Sequence, residues 1–403
     1  MKNTVLSSND PVIDKLMKKL AKDKKLTKLL LDSLEKARKT AKKNLDDLLY
    51  KALDWPVKLA TYQKYLEEFA RWIPQQSSDP AWTAPGTDEQ QEVYDRLCHF
   101  YYLIDQPVGP KNSVIVQNLP WFSKWLVDYA NDWGSFLDST DSFNDDILNS
   151  FIKDSPKYEV ENSMVNGKPN NPSGWLTFNQ FFARELNPGL RPIADPFDNS
   201  VVVSPADCTY RAQYRIGPDS TIDQITVKKT HKYASIKQLL KGSDYEDAFA
   251  NGHFTHYFLG PYSYHRFHLP VSGVVKECYP VMGKVFLDVN ITDNQFDAPD
   301  NSEGGYEFYQ ARGIITIDTT DSPYGNVGIV AVIPIGMTQV SSVHMTATPG
   351  AEMLKGDEFG YFLFGGSDII VLFQDGVNAL IGGSTEYHRY GSVIAHCDDL
   401  DDF

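Results

Sequence analysis

A serine, two histidines and two aspartates stand in short stretches whose make-up could support covalent chemistry. Residues 359–373, FGYFLFGGSDIIVLF, run apolar, break at Gly365-Gly366-Ser367-Asp368 and run apolar again. Glycines in such a place mark a bulge, a turn or a close approach to the backbone. Residues 262–270, YSYHRFHLP, contain His265 and His268, with His253 and His256 shortly before them. Residues 203–208, VSPADC, end a strand-like run on the carboxylate of Asp207. A hydroxyl, a base beside it and a carboxylate that orients the base are the parts of an activated nucleophile. Taken singly, the stretches have plainer readings: a hairpin turn, a turn-forming aspartate and satisfied structural histidines. Histidines three apart face opposite sides of a strand and meet only on a helical turn. No metal site is expected from them.

Two textures of chain must position these residues. At 403 residues and 42% hydrophobic content the protein can bury a sizeable core. Residues 14–53 place Leu16, Leu20, Leu30, Leu34, Ala37, Ala41, Leu45 and Leu48 at helical spacing, with lysines between them. Further helical patterns follow at 61–73 and 88–104. After the loop NGKPNNPSG at 166–174 and a short helical pattern at 175–186, β-rich runs alternate with turns: 200–204, 273–278, 313–317, 327–333 and 369–373. The expected fold class is α+β, with a helical domain over 1–165 and a mainly antiparallel β catalytic domain over 170–403. Residues 1–53 hold 14 Lys/Arg against 7 Asp/Glu, whereas the whole chain has a net charge of −15. So acidic a body argues against nucleic acid as partner, while the lysine-rich residues 15–43 could touch anionic lipid. Packing of those helices on their own protein is the favoured reading. Four cysteines far apart, no secretory pattern and no membrane-length apolar run lead us to expect a cytoplasmic protein, with peripheral membrane contact as the variant.

PADC, YHRFHLPVSG and KGDEFGYFLFGGS occur in this order, with FNQFFARELNPGLRPI upstream. Together they resemble the phosphatidylserine decarboxylase family, over residues 175–379. The resemblance implies a zymogen that cleaves itself between Gly366 and Ser367, giving chains of residues 1–366 and 367–403. Ser367 would attack the carbonyl of Gly366 to form an ester, with His268 as base and Asp207 orienting it. β-Elimination and loss of ammonia would leave a pyruvoyl group derived from Ser367, so neither PLP nor a metal is implied. A substrate amine would form a Schiff base with that group, and His265 would serve the decarboxylation step. We expect proton delivery there to suit an imidazole of ordinary pKa near 6.5. A second Gly-Gly-Ser, at 382–384, lacks the KGDEFGYF context, so Ser367 is preferred over Ser384.

Two positions depart from the family pattern: Cys208 stands where glycine is usual, and Asp368 where threonine or serine is usual. A carboxylate beside the reacting group would favour a cationic amine over a phosphodiester, which makes Asp368 a candidate substrate-binding residue. The segment TYQKYLEEFARWIPQQ is similar to the extension of decarboxylase-like relatives, some of which act on free amino acids such as tryptophan. The favoured reading is a carboxy-lyase acting on a free amino acid. The alternatives are phosphatidylserine decarboxylation, as in phospholipid biosynthesis, and an uncleaved scaffold without catalysis.

Overall fold

The computed structural model describes residues 7–84, 86–227, 232–298, 305–337, 343–383 and 387–402. The chain divides into two compact units. One comprises Met1–Val160, Trp175–Phe178 and Lys284–Pro299; the other comprises Glu161–Gly174, Asn179–Gly283 and Asp300–Phe403. The hairpin Asn290–Thr292 with Gln295–Asp297 therefore belongs with the helices, although the sequence reading had placed it in the β domain.

The first unit is helical. Asp10 caps Pro11–Lys22 by accepting from the amides of Val12 and Ile13 at 2.9 and 3.1 Å, and Pro11 sits where a missing N–H costs nothing. Lys24–Asn44, Leu59–Phe69, Glu92–Tyr102, Pro120–Leu137 and Asp145–Asp154 follow. Their shared core is aromatic, with Tyr62, Phe100, Tyr101, Trp125, Tyr129 and Trp133 sealed from solvent. Ile13, Leu16 and Leu20 of the first helix and Leu30, Leu34, Ala37 and Ala41 of the second are buried too, so the apolar stripes of residues 15–43 are spent on packing. Only their lysine faces remain to meet an anionic surface. Among the described residues no helix is long and apolar enough to cross a membrane.

The second unit is built on antiparallel sheets. Among the described residues the largest has eight strands, in the order Glu352–Met353, Gly273–Val281, Ala311–Asp318, Ile329–Met337, Gly366–Phe373, His253–Leu259, Cys208–Arg215 and Tyr387–His388. Strand alternation sends Ile370 and Leu372 to one face, where they join Phe254, Ile314, Ile333 and Ile335 in a buried core. A three-stranded sheet aligns Val343–Met345, Glu358–Phe362 and Arg266–His268, and another aligns Leu380–Ile381, Val393–His396 and Val201–Val203. The fold is α+β.

Candidate active site

The Gly-Gly-Ser break opens a strand in the middle of the large sheet. Gly365 has φ 152°, a backbone state that side-chain-bearing residues rarely adopt, and Gly366 starts the strand. Ser367 then pairs with Gly336 on one side and Leu259 on the other. Its side chain is fully buried, and its Oγ has no hydrogen-bond partner among the described residues. Leaving a buried hydroxyl unpaired costs about 1–3 kcal/mol, so it calls for an explanation. Asn179 anchors the segment just before the break, its Oδ1 accepting from the Phe364 amide at 3.1 Å. Asn179 comes from the short helix Phe178–Phe182, within the helical pattern expected over residues 175–186.

That helix also supplies the surroundings of His265. The ring of Phe182 stacks on His265 at 3.9 Å and meets Phe364 edge-on at 5.1 Å. His265 is fully buried, and neither ring nitrogen has a hydrogen-bond partner among the described residues. Burial and then the charge of Arg184 hold its pKa well below the usual imidazole range, with the Ser263 backbone pulling the other way. The ordinary pKa near 6.5 expected for proton delivery therefore does not hold in this site. Arg184 is itself buried, its guanidinium 5.3 Å from the Phe181 ring centre.

His268 lies on the strand Arg266–His268, beside the strand that begins at Glu358. Its amide donates to the Pro205 carbonyl at 2.7 Å, tying the histidine segment to the PADC turn. Nδ1 lies 2.8 Å from the Gly356 carbonyl, which can only accept, so Nδ1 holds the proton and Nε2 is the lone pair of the neutral ring. The Tyr264 hydroxyl is 3.2 Å from Nε2, and the Tyr390 ring lies flat on the imidazole at 3.8 Å and 5°. Burial pushes the pKa down to about 4, against the Gly356 hydrogen bond and with Arg266 adding to the fall. The glycine of KGDE has its own reason: Gly356 has φ +90°, and a Cβ there would stand 2.6 Å from Ile193 Cδ1.

Asp207 is placed nearby but is engaged elsewhere. Arg191 Nε donates to its two oxygens at 3.1 and 3.2 Å, and Arg191 Nη2 reaches Oδ2 at 2.5 Å. The Tyr390 amide donates to Oδ1 at 2.8 Å. The direct contact to His268 that the sequence reading assigned to Asp207 is not made; the Gly356 carbonyl orients the imidazole instead. The Tyr390 amide and ring link the aspartate to the imidazole.

Asp368 also differs from expectation. Alternation turns it to the face opposite Ser367, where its Oδ1 lies 3.2 Å from His256 Nε2, both side chains fully buried. It does not stand beside the Ser367 side chain, so the argument from its charge to a cationic substrate loses its premise. Cys208 is buried with its thiol 3.4 Å from both Ser204 Oγ and the Ala206 carbonyl, and burial pushes it up to about 12. His265 and His268 have separate surroundings, and no group of three His, Cys, Asp or Glu suited to a metal occurs among the described residues. Ser384 lies outside the described residues.

A family profile described as phosphatidylserine decarboxylase matches residues 178–396. The chain is 35% identical over 227 residues to phosphatidylserine decarboxylase proenzyme 2 of Oryza sativa subsp. japonica, covering 55% of this chain and 34% of that protein. It is 31% identical over 202 residues to a phosphatidylserine decarboxylase proenzyme of Chlamydia trachomatis, covering 50% of this chain and 60% of that one. With Decarboxylase iboD of Amanita muscaria it shares 27% identity over 277 residues, covering 63% of this chain and 77% of the relative. The chain thus spans less than two thirds of the rice and chlamydial proteins and more of the fungal one. With more than half its length matched by that profile, the chain belongs to the phosphatidylserine decarboxylase family.

Proposed function

We propose that this protein cleaves itself between Gly366 and Ser367 and is a pyruvoyl-dependent decarboxylase of a free amino acid, with an aromatic, tryptophan-like substrate favoured. The observation that supports it most is the sealed Ser367 Oγ, without a partner among the described residues and placed behind a Gly-Gly bend at the start of a central strand. A hydroxyl poised to react with its neighbouring peptide explains an orphan that a merely structural serine would not. The residues fit the group such cleavage would leave: the paired strand would hold it, and Phe364 and Asn179 would fix the approach to it.

In this reading His268 takes the Ser367 proton. Burial keeps its ring neutral down to about pH 4, and the Gly356 carbonyl fixes the tautomer so that Nε2 is the basic atom. The Tyr264 hydroxyl occupies that nitrogen, so it must relay the proton or yield its place. When present, a pyruvoyl group supplies a ketone that takes up the substrate amine and draws off the electron pair left as CO₂ departs. His265 and Arg184 then have complementary tasks. The guanidinium would hold the substrate carboxylate, and a carboxylate arriving beside His265 would raise its depressed pKa and ready it to give up a proton. The rings of Phe182 and Phe362 beside His265 suit a flat side chain.

Phosphatidylserine is the second reading, supported by the names of the rice and chlamydial relatives. Burial of the apolar stripes of residues 15–43 favours the first, since it leaves those helices only charge with which to hold a lipid surface. Intact mass under denaturing conditions tests the core of the proposal. Two fragments meeting at 366/367, the smaller with a blocked amino terminus, support it; a single full-length mass sinks it. CO₂ release from tryptophan and other amino acids, set against release from phosphatidylserine vesicles, then decides the substrate.

A further inference from the structure

Resting on the self-cleavage reading, we infer that Tyr390, from the segment after the cut, is a positioning residue that clamps His268 and connects it to Asp207. Three contacts define the imidazole. Gly356 O and Tyr264 OH fix it within its plane, at 2.8 and 3.2 Å, and Tyr390 fixes the plane itself. A ring separation of 3.8 Å at 5° is full face-to-face contact. Tyr264 continues the stack on Tyr390 at 5.5 Å.

The backbone around Tyr390 is strapped to the same region. Tyr387 and His388 pair with Thr209 and Cys208. The Gly391 amide donates to Ser204 O at 3.0 Å, and its carbonyl accepts from the Ala194 amide at 2.9 Å. The Ser392 carbonyl accepts from the Ser204 amide at 2.7 Å. With these bonds in place the Tyr390 amide points at Asp207, so one residue meets the carboxylate with its backbone and the imidazole with its ring. Asp207 thereby acts on the base at one remove. Tyr390 is half-buried, whereas His268 is 6% exposed, so the tyrosine ring screens one face of the imidazole from water.

The charged and titratable groups around His268 lie on several elements. Arg266 is on its own strand, Glu358 is its cross-strand partner, Tyr264 precedes it, and Asp207 with Arg191 sits behind Tyr390. Replacing the Tyr390 side chain removes none of these charges, so its main effect on His268 is to admit water. Desolvation is the largest cause of the low pKa of His268, and hydration should return that pKa toward the ordinary imidazole value.

The test uses the uncut Ser367→Ala chain, in which His268 can be titrated by NMR whether or not the natural chain cleaves. Tyr390→Ala should move the His268 midpoint upward by one to two pH units, and Tyr390→Phe, which keeps the ring, should not. Tyr390→Leu, which is shorter than the ring and leaves part of the imidazole face open to water, keeps the question testable if the alanine variant unfolds, and should shift the midpoint upward by less. In the chain with Ser367 intact, a midpoint raised to about 6 leaves about a quarter of the ring neutral at pH 5.5. Self-cleavage of Tyr390→Ala at pH 5.5 should then fall roughly fourfold relative to pH 7.5, while Tyr390→Phe keeps a flat profile. Unchanged midpoints in both the alanine and leucine variants, or an equal loss of cleavage at every pH, overturn the clamp. Failure of the natural chain to cleave overturns the functional reading instead.

Discussion

Replacing Arg191 by Met would test whether the Asp207 site stands on the ion pair described above. The guanidinium makes three contacts to the carboxylate at 3.1, 3.2 and 2.5 Å, and the two side chains are 2% and 3% exposed. Removing one member of such a pair leaves a buried charge whose remaining donor among the described residues is the Tyr390 amide, which costs about 3–5 kcal/mol. At about 2–4 °C per kcal/mol for a unit of this size, Arg191→Met should lower Tm by roughly 6–20 °C. Arg191→Lys should fall between, because it keeps the charge and loses the fork. Asp207→Asn in the Met background removes the stranded charge but can still accept from Tyr390, so the double variant should be less damaged than the sum of the singles, with a coupling of roughly 2 kcal/mol or more. Urea unfolding of all four chains in the Ser367→Ala background measures this without interference from cleavage. Arg191→Met within about 0.5 kcal/mol of its parent, or strictly additive singles, would refute the reasoning.

Four shorter predictions accompany it. Gly356→Ala should cost about 1–3 kcal/mol, because φ +90° and the 2.6 Å approach to Ile193 forbid a methyl, and it should slow self-cleavage by moving the carbonyl that orients His268; gel densitometry against time reads the rate. Asp368→Asn should weaken the buried contact to His256 and lower the thermal midpoint while leaving substrate preference unchanged; a changed preference with an unchanged midpoint would return Asp368 to the substrate site. His265→Ala should give a cleaved protein without decarboxylase activity, and an uncut product would mean that the roles of the two histidines are exchanged. In the helical unit, burial raises Asp95 to about 8, so the folded state holds a proton there that the unfolded chain releases near pH 4. That contribution is complete below about pH 4 and is lost as pH rises toward 8, at roughly 1.4 kcal/mol per unit. Urea midpoints between pH 6.5 and 8 should fall for the parent relative to Asp95→Asn, a comparison that cancels the histidines, which titrate near 6.5 in the unfolded chain.

The strands and the glycine break before Ser367 were legible because both are written in contiguous residues. The runs at 273–278, 313–317, 327–333 and 369–373 coincide with the strands Gly273–Val281, Ala311–Asp318, Ile329–Met337 and Gly366–Phe373. The partner of His268 was not legible, since a backbone carbonyl leaves no mark on residue type and only the glycine at 356 hinted at it. Arg191 and Asp207 are 16 residues apart on no common periodic element, so nothing in their spacing announces the ion pair. Asn179 and Phe182 were hidden for another reason: a five-residue helix reads as amphipathic packing, and which of its side chains reach His265 and Phe364 depends on tertiary folding. The misreading of Asp368 came from treating a neighbour in sequence as a neighbour in space. Along a strand the adjacent residue is the one sure to face away.

The position of Ser367 in the middle of the large sheet has a consequence for the protein's lifetime. If the peptide bond before it is cut, residues 367–403 still supply a strand hydrogen-bonded along both edges, to Ile329–Met337 and His253–Leu259. The fragments would then be held like a noncovalent heterodimer whose interface is the interior of a domain. Melting would separate two chains that no linker can bring back together, so refolding would become bimolecular and dilution would oppose it. The uncut precursor would renature in a concentration-independent way, while the mature protein, equally stable on the bench, would have one chance to fold.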